Sequence, residues 1–106
     1  FVPSSYDNVE TGWLAFPLIL QNDLADKRKG MQIFLEKAGI QTRTIFTGNI
    51  MRQPVAKKFK WESHGTFEVS DEIMKSGILL GCHNRQTKEK LDYTIEKLFE
   101  AESCLK

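Results

Sequence analysis

Gly39-Ile40-Gln41-Thr42-Arg43-Thr44-Ile45-Phe46-Thr47-Gly48-Asn49-Ile50-Met51-Arg52-Gln53-Pro54 is the stretch that decides how this chain is read. Its first half, Ile40–Phe46, alternates and is rich in β-branched residues, which predicts a strand. Thr47-Gly48-Asn49 then breaks the alternation as a turn, where Gly48 permits a positive φ and close backbone approach. The strand delivers Arg43 and Phe46 to that turn. Asn49 offers both a donor and an acceptor, and Arg52 adds a second guanidinium just beyond. Two planar forks flanking a tight turn can hold carboxylate or phosphate oxygens. The competing reading makes both arginines surface ion pairs and Gly-Asn only a turn, and on composition alone it leads.

Working upstream, Gly39 sits where a left-handed C-terminal cap is expected for a helix from about Lys27 to Ala38, with Asp26 as its N-cap. Leu24, Met31, Phe34, Leu35 and Ala38 fall on one face of it. Gly30 costs about 1 kcal/mol relative to alanine in a helix interior. Lys27, Arg28 and Lys29 oppose the helix dipole, so packing has to override both. Trp13–Leu20 is nearly continuous in apolar residues and suits a strand covered on both faces. Pro17 confines that strand to a sheet edge, or turns its own position outward. Residues 1–11 are polar and read as an extended lead-in.

Downstream, Met51–Trp61 predicts a short helical turn after Pro54. A helix is expected at Asp71–Lys75, capped by Ser70, followed by a short buried strand at Ile78–Leu80. Thr87 caps a last helix from Lys88 to about Ser103, with Leu91, Ile95, Leu98, Phe99 and Glu102 on one face. The sum is a single α/β (α+β) domain over residues 1–106: a small three-stranded sheet packed by helices.

The composition excludes several function classes. With 15 basic and 14 acidic residues the net charge is +1, which gives no global field for nucleic acid or anionic lipid. No apolar run approaches the ~18–20 residues of a membrane span. Cys82 and Cys104 fit no metal or redox spacing, and a reduced, cytoplasmic setting is the simpler expectation. His64 and His83 fall in different loops, so no metal site is expected. There is no Gly-rich phosphate loop and no nucleophile with a local base, so no catalytic residue is assigned.

Gly81-Cys82-His83-Asn84-Arg85 leads into the last helix. His83 there can hydrogen-bond a sugar or phosphate group, against the plainer reading of a loop histidine beside a helix cap. Cys82 is expected to pack as a small hydrophobe. Lys57-Lys58-Phe59-Lys60-Trp61 interleaves bases and aromatics as single-strand nucleic-acid binders do. The preferred reading is an amphipathic turn that buries Phe59 and Trp61 and leaves the lysines solvated. The chain opens at Phe1 rather than methionine, so a piece of a longer protein is expected.

The central string, Gly-Ile-x-Thr-Arg followed by Thr-Gly-Asn-Ile-x-Arg-Gln-Pro, resembles the DegT–StrS family of sugar aminotransferases and dehydrases. Within it the string is most similar to the NDP-4-keto-6-deoxyglucose 3-dehydrase (RfbH-type) branch. Trp13-Leu14-Ala15-Phe16 resembles the family's Trp-x-x-Phe strand. Asp71-Glu72-Ile73-Met74 and Thr87–Ile95 resemble its two closing helices, in the same order. Two positions depart from the pattern: Glu72 stands where relatives often carry a base, and Asn84 follows His83 in place of the commoner proline.

The resemblance implies the C-terminal small domain of a fold-type-I enzyme, normally a homodimer, that uses pyridoxal or pyridoxamine phosphate on nucleotide-linked 4-keto-6-deoxy sugars. In the 3-dehydrase branch it further implies an iron–sulfur reductase partner and a place in lipopolysaccharide O-antigen biosynthesis. The cofactor site and the catalytic lysine or histidine belong to the large domain, so no cofactor-binding residue, catalytic residue or metal ligand is expected here. This chain would form part of the substrate-cleft wall. Arg43 and Arg52 are the implied phosphate or sugar contacts, Phe46 a packing wall, Asn49 a polar contact, and His83 the histidine before the last helix. The alternative class is a stand-alone, non-catalytic α/β binding or regulatory module.

Overall fold

Strand β3 (Gly77–Gly81) is the hinge of the architecture, because both other strands pair with it. In the computed structural model, which describes residues 4–106, the sheet order is β1-β3-β2 with both pairings antiparallel. Strand β1 is Ala15–Ile19 and β2 is Thr42–Thr44. Three α-helices accompany them among the described residues: α1 (Arg28–Lys37), α2 (Glu68–Ser76) and α3 (Lys88–Leu105). The expected three-stranded α/β domain is what forms.

The register sorts the residues by face. Leu18 pairs with Ile78, Phe16 with Leu80, and Thr42 with Leu80, so these share one face of the sheet. Ile78 and Leu80 cluster there with Leu20, Met31 and Leu35 around α1, and with Ala101 of α3. Pro17, Leu79 and Arg43 share the other face. Strand β1 lies at a sheet edge, which satisfies the constraint that Pro17 imposes. Its covering on both faces does not materialise. The core cluster lies on one face, and Trp13, Leu14 and Phe16 are exposed.

Helix α1 ends as its sequence predicts. Gly39 takes φ +79°, its N–H donates to the Glu36 carbonyl at 3.0 Å, and the Ile40 N–H reaches Leu35 at 2.9 Å. That pair of bonds is a Schellman cap. The start of α1 differs from expectation. Lys27 occupies the N-cap without a side-chain bond, and Asp26 instead pairs with Lys75 at 2.8 Å. Gly30 has a packing reason, since a β-carbon there would sit 2.8 Å from Cδ2 of Leu105. The glycine lets the end of α3 close onto α1.

Strand β2 is shorter than Ile40–Phe46 because its ends are taken by other geometry: Ile40 completes the helix cap and Phe46 is left-handed at φ +46°. Helix α2 starts before Asp71, with Phe67 at its N-cap at φ +63° and Ser70 inside the helix rather than capping it. Glu68 and Asp71 in its first turn suit the positive end of the dipole. Two 3₁₀ turns, Ile50–Arg52 and Pro54–Lys57, follow β2, the second where a helical turn was expected after Pro54.

Thr87 caps α3, accepting from the Lys90 N–H at 3.4 Å. The buried stripe of α3 shares only Leu98 with the expected one. Ala101 is fully buried and Leu98 and Leu105 pack on the core, while Leu91, Ile95 and Phe99 are exposed. The contact with α1 selects the 98, 101, 105 line of the helix. Phe59 and Trp61 also stay exposed, meeting edge to face at 5.9 Å, so the amphipathic turn does not bury them. Of the lead-in over residues 1–11, residues 1–3 lie outside the described residues, and 4–11 form no helix or strand.

Candidate functional site

The Gly39–Pro54 segment is held at both ends by side chains from helices. At its start the Glu36 carboxylate accepts the Thr42 N–H at 2.6 Å and the Thr42 hydroxyl at 2.9 Å. Those bonds, the backbone N–H first, hold Glu36 below the usual carboxylate range. At its far end the turn presses on α2. Gly48 has φ +67°, and a β-carbon there would lie 2.9 Å from Cα of Met74. Only glycine satisfies the conformation and the approach together.

Asn49 joins the turn to α2. Its Oδ1 accepts the Met51 N–H at 2.9 Å and its Nδ2 donates to Asp71 at 2.8 Å, with only 3% of the residue exposed. Arg52 grips the same carboxylate with Nε at 2.9 Å and Nη2 at 2.6 Å. Arg52, and after it Asn49, lower the Asp71 pKa to about 2, and Asp71 in turn raises that of Arg52. Gln53 closes the turn by donating to the Thr47 carbonyl at 2.9 Å.

A cleft of about 270 Å³ opens beside this turn, lined by Arg28, Thr44, Phe46, Thr47, Gln53 and Met74 among others. Phe46 stands at it, 80% exposed as a residue and with its backbone left-handed, a conformation that costs roughly 1–3 kcal/mol for a non-glycine residue. Arg28 donates to the Met74 carbonyl, near the negative end of the α2 dipole.

The expected site residues therefore divide. Phe46 lines the cleft, while Asn49 and Arg52 lock its turn through Asp71. Arg43 lies on the opposite sheet face from Thr42 and Thr44, exposed, and its side chain makes no hydrogen bond among the described residues. His83 is elsewhere. It lines a separate hollow of about 410 Å³ with Gln41, Gln86 and Lys90, at the Thr42 end of β2. At about 3.4 Å per residue, the strand alone puts roughly 10 Å between His83 and the Phe46 turn. The His83 Nδ1 accepts the Arg85 N–H at 3.1 Å, which leaves Nε2 as the outward donor.

Sequence reading missed Asp71 as the partner of Asn49 and Arg52, and Arg28 as a cleft residue. The only signals were an acid in a helix first turn and a base that opposed a helix dipole.

The two guanidinium groups nearest the cleft are engaged, Arg28 by a carbonyl and Arg52 by a carboxylate. Among the described residues no three His, Cys, Asp or Glu side chains gather as metal ligands, and no helix is long and apolar enough to cross a membrane.

Comparison with known proteins identifies the family of the chain. The pattern of the DegT/DnrJ/EryC1/StrS aminotransferase family matches residues 2–99. The chain belongs to that family. Family relatives include the lipopolysaccharide biosynthesis protein RfbH of Salmonella typhimurium, 31% identical over 93% of this chain and 23% of its own length. The GDP-4-keto-6-deoxy-D-mannose 3-dehydratase of Escherichia coli is 31% identical over 84% of this chain and 23% of its own length.

Among solved family structures, a GDP-4-keto-6-deoxymannose-3-dehydratase superposes with a TM-score of 0.78 at 28% identity, covering 92% of this chain and 26% of that one. The E. coli enzyme with bound hydrated PLP gives a TM-score of 0.79 at 28% identity, covering 92% and 25%. The chain thus spans about a quarter of the length of the relatives it matches. The resemblance seen in Gly39–Pro54 and its flanks holds, both for the family and for its 3-dehydratase members.

Proposed function

We propose that this chain is the C-terminal small domain of a cytoplasmic sugar-nucleotide 3-dehydratase that depends on pyridoxal or pyridoxamine phosphate and serves lipopolysaccharide O-antigen biosynthesis. The observation that carries the reading is the superposition on solved 3-dehydratases over 92% of the chain at 28% identity. The substrate is a nucleotide-linked 4-keto-6-deoxy sugar, the whole protein is a homodimer, and an iron–sulfur reductase completes the deoxygenation. Cofactor and catalytic base belong to the large domain. This chain binds and orients the sugar nucleotide as one wall of the cleft.

Within that wall Arg43, exposed and with no hydrogen bond from its side chain among the described residues, is the cation for phosphate or sugar oxygens. Phe46 forms the apolar wall, and His83 offers its outward N–H from the far end of β2. Asn49 and Arg52 fix the turn through Asp71, and the remaining Arg52 nitrogen, Nη1, is left to face a ligand.

The test is a chimera in which this chain replaces the matching quarter of the E. coli 3-dehydratase. Retained cofactor absorbance together with turnover of GDP-4-keto-6-deoxymannose supports the reading. A folded, cofactor-loaded chimera that neither binds nor turns over the sugar nucleotide refutes it. In an active chimera Arg43→Ala should raise KM with little change in the melting temperature. An unchanged KM would make Arg43 a surface charge only.

A further inference from the structure

Phe46 does not behave as a residue that serves only the fold. The residue is 80% exposed and adds little to the core. Its φ of +46° is one that a phenylalanine rarely adopts. The neighbours nevertheless hold the turn on both sides. The Thr44 hydroxyl donates to the Phe46 carbonyl at 3.2 Å, the Gly48 N–H to Ile45 at 3.1 Å, and Gln53 to Thr47 at 2.9 Å. A fold that needed only a turn here would be better served by glycine or asparagine. Strain that its surroundings over-determine clusters at ligand clamps and active sites.

The cleft beside the ring narrows what it can take. At about 270 Å³ it lies below the roughly 300–1,000 Å³ of pockets that enclose whole drug-sized ligands. It therefore has room for one ring system. Its polar lining comes from Thr44, Thr47 and Gln53, with Arg28 as its one charged residue, one nitrogen of which donates to the Met74 carbonyl. Hydroxyl and amide groups beside an exposed aromatic face suit a flat, uncharged ring with hydrogen-bonding edges.

We propose that Phe46 is a stacking platform for the nucleobase of a nucleotide-linked ligand, with Thr47 and Gln53 at the base edge. The phosphates then project out of the cleft. This rests on the reading of the chain as part of a sugar-nucleotide enzyme, and adds which end of the substrate the cleft receives.

The experiment is an amide NMR titration of the isotope-labelled chain with GDP, inorganic pyrophosphate and a free 6-deoxyhexose. GDP should shift residues 44–53 saturably, and the other two probes should not. Phe46→Ala and Phe46→Gly should each weaken GDP on the order of 10-fold, the usual scale for losing one base–aromatic stack, while Phe46→Trp retains it. Both small variants lack the ring, but only alanine keeps the backbone strain. Phe46→Gly should therefore melt about 4–8 °C above Phe46→Ala.

The proposal is overturned by any of four results: no saturable GDP shift, the same shifts from pyrophosphate or deoxyhexose, unchanged GDP affinity in Phe46→Ala, or Phe46→Gly melting no higher than Phe46→Ala. Turnover by the chimera is a separate readout. An active chimera with no GDP stacking on Phe46 sinks this proposal alone, and an inactive chimera whose Phe46 still stacks GDP sinks the enzyme reading alone.

Discussion

Gly48→Ala should damage the fold more than the same change at any open glycine, and the reason separates into two contributions. Gly48 is left-handed at φ +67°, which costs an L-residue about 1–2 kcal/mol. The new β-carbon would also stand 2.5 Å from Cγ of Met74 and 2.9 Å from its Cα. The Met74 side chain can rotate away, but its Cα is helix backbone, so the turn or α2 has to move. Overpacking of that kind adds about 1–3 kcal/mol. Together the loss is about 2–5 kcal/mol, a large share of the ~5–15 kcal/mol that holds a typical domain.

Gly39→Ala is the control. Its φ is +79° and an added β-carbon meets nothing within 4 Å, so it carries the conformational cost alone. Urea unfolding followed by far-ultraviolet circular dichroism should separate the two variants by about 1–3 kcal/mol. Met74→Ala should not rescue Gly48→Ala, because the Cβ and Cα of residue 74 remain in place. If the two glycine variants unfold at the same urea concentration, the close approach of the turn to α2 is wrong.

Two further outcomes concern the Asp71 junction. Asn49→Ala strips a buried acceptor from the Met51 N–H and a donor from Asp71, with an expected loss of about 1–3 kcal/mol. Arg52→Ala breaks only an exposed pair and should cost less than Asn49→Ala; thermal melts giving the reverse order would contradict this division of roles. For pH, the folded Asp71 pKa is lowered from 3.8 to about 2, so its stabilisation is complete above 3.8 and is lost as pH falls through about 2. Asp71→Asn should flatten that part of the acid-unfolding curve, and a curve as steep as that of the parent chain would remove Asp71 from the account.

How much of the fold could be read depended on whether the deciding partner was near in sequence. The Gly39 cap, the Thr87 cap and the turn at Gly48 are local devices, and each forms where its residues predict. Asp26 and Ser70 look like helix caps by the same local rule, yet neither caps. Lys75 lies far from Asp26 in sequence and takes its carboxylate, and Ser70 falls inside a helix whose first turn begins at Glu68. The α3 stripe was misread for a related reason. Leu91, Ile95 and Phe99 satisfy helical periodicity as well as Leu98, Ala101 and Leu105 do, but only the second set joins the core.

The candidate site shows the same boundary more sharply. Its residue types were legible because strand, turn and guanidinium groups lie within one short segment. Their roles were not, because the group that assigns them sits on another helix. Asp71 engages Asn49 and one edge of Arg52, and so converts two apparent ligand contacts into supports for the turn. Among the exposed side chains of the segment that Asp71 does not engage are Arg43 and Phe46, beside Gln41 and Ile50. Arg43 is a cation that helps to hold the Glu36 carboxyl low. Phe46 is a large apolar ring held in a conformation it does not favour. The segment thus commits its buried Asn49 to a neighbouring helix and leaves a strained aromatic in solvent, an arrangement that the packing of the segment does not by itself require.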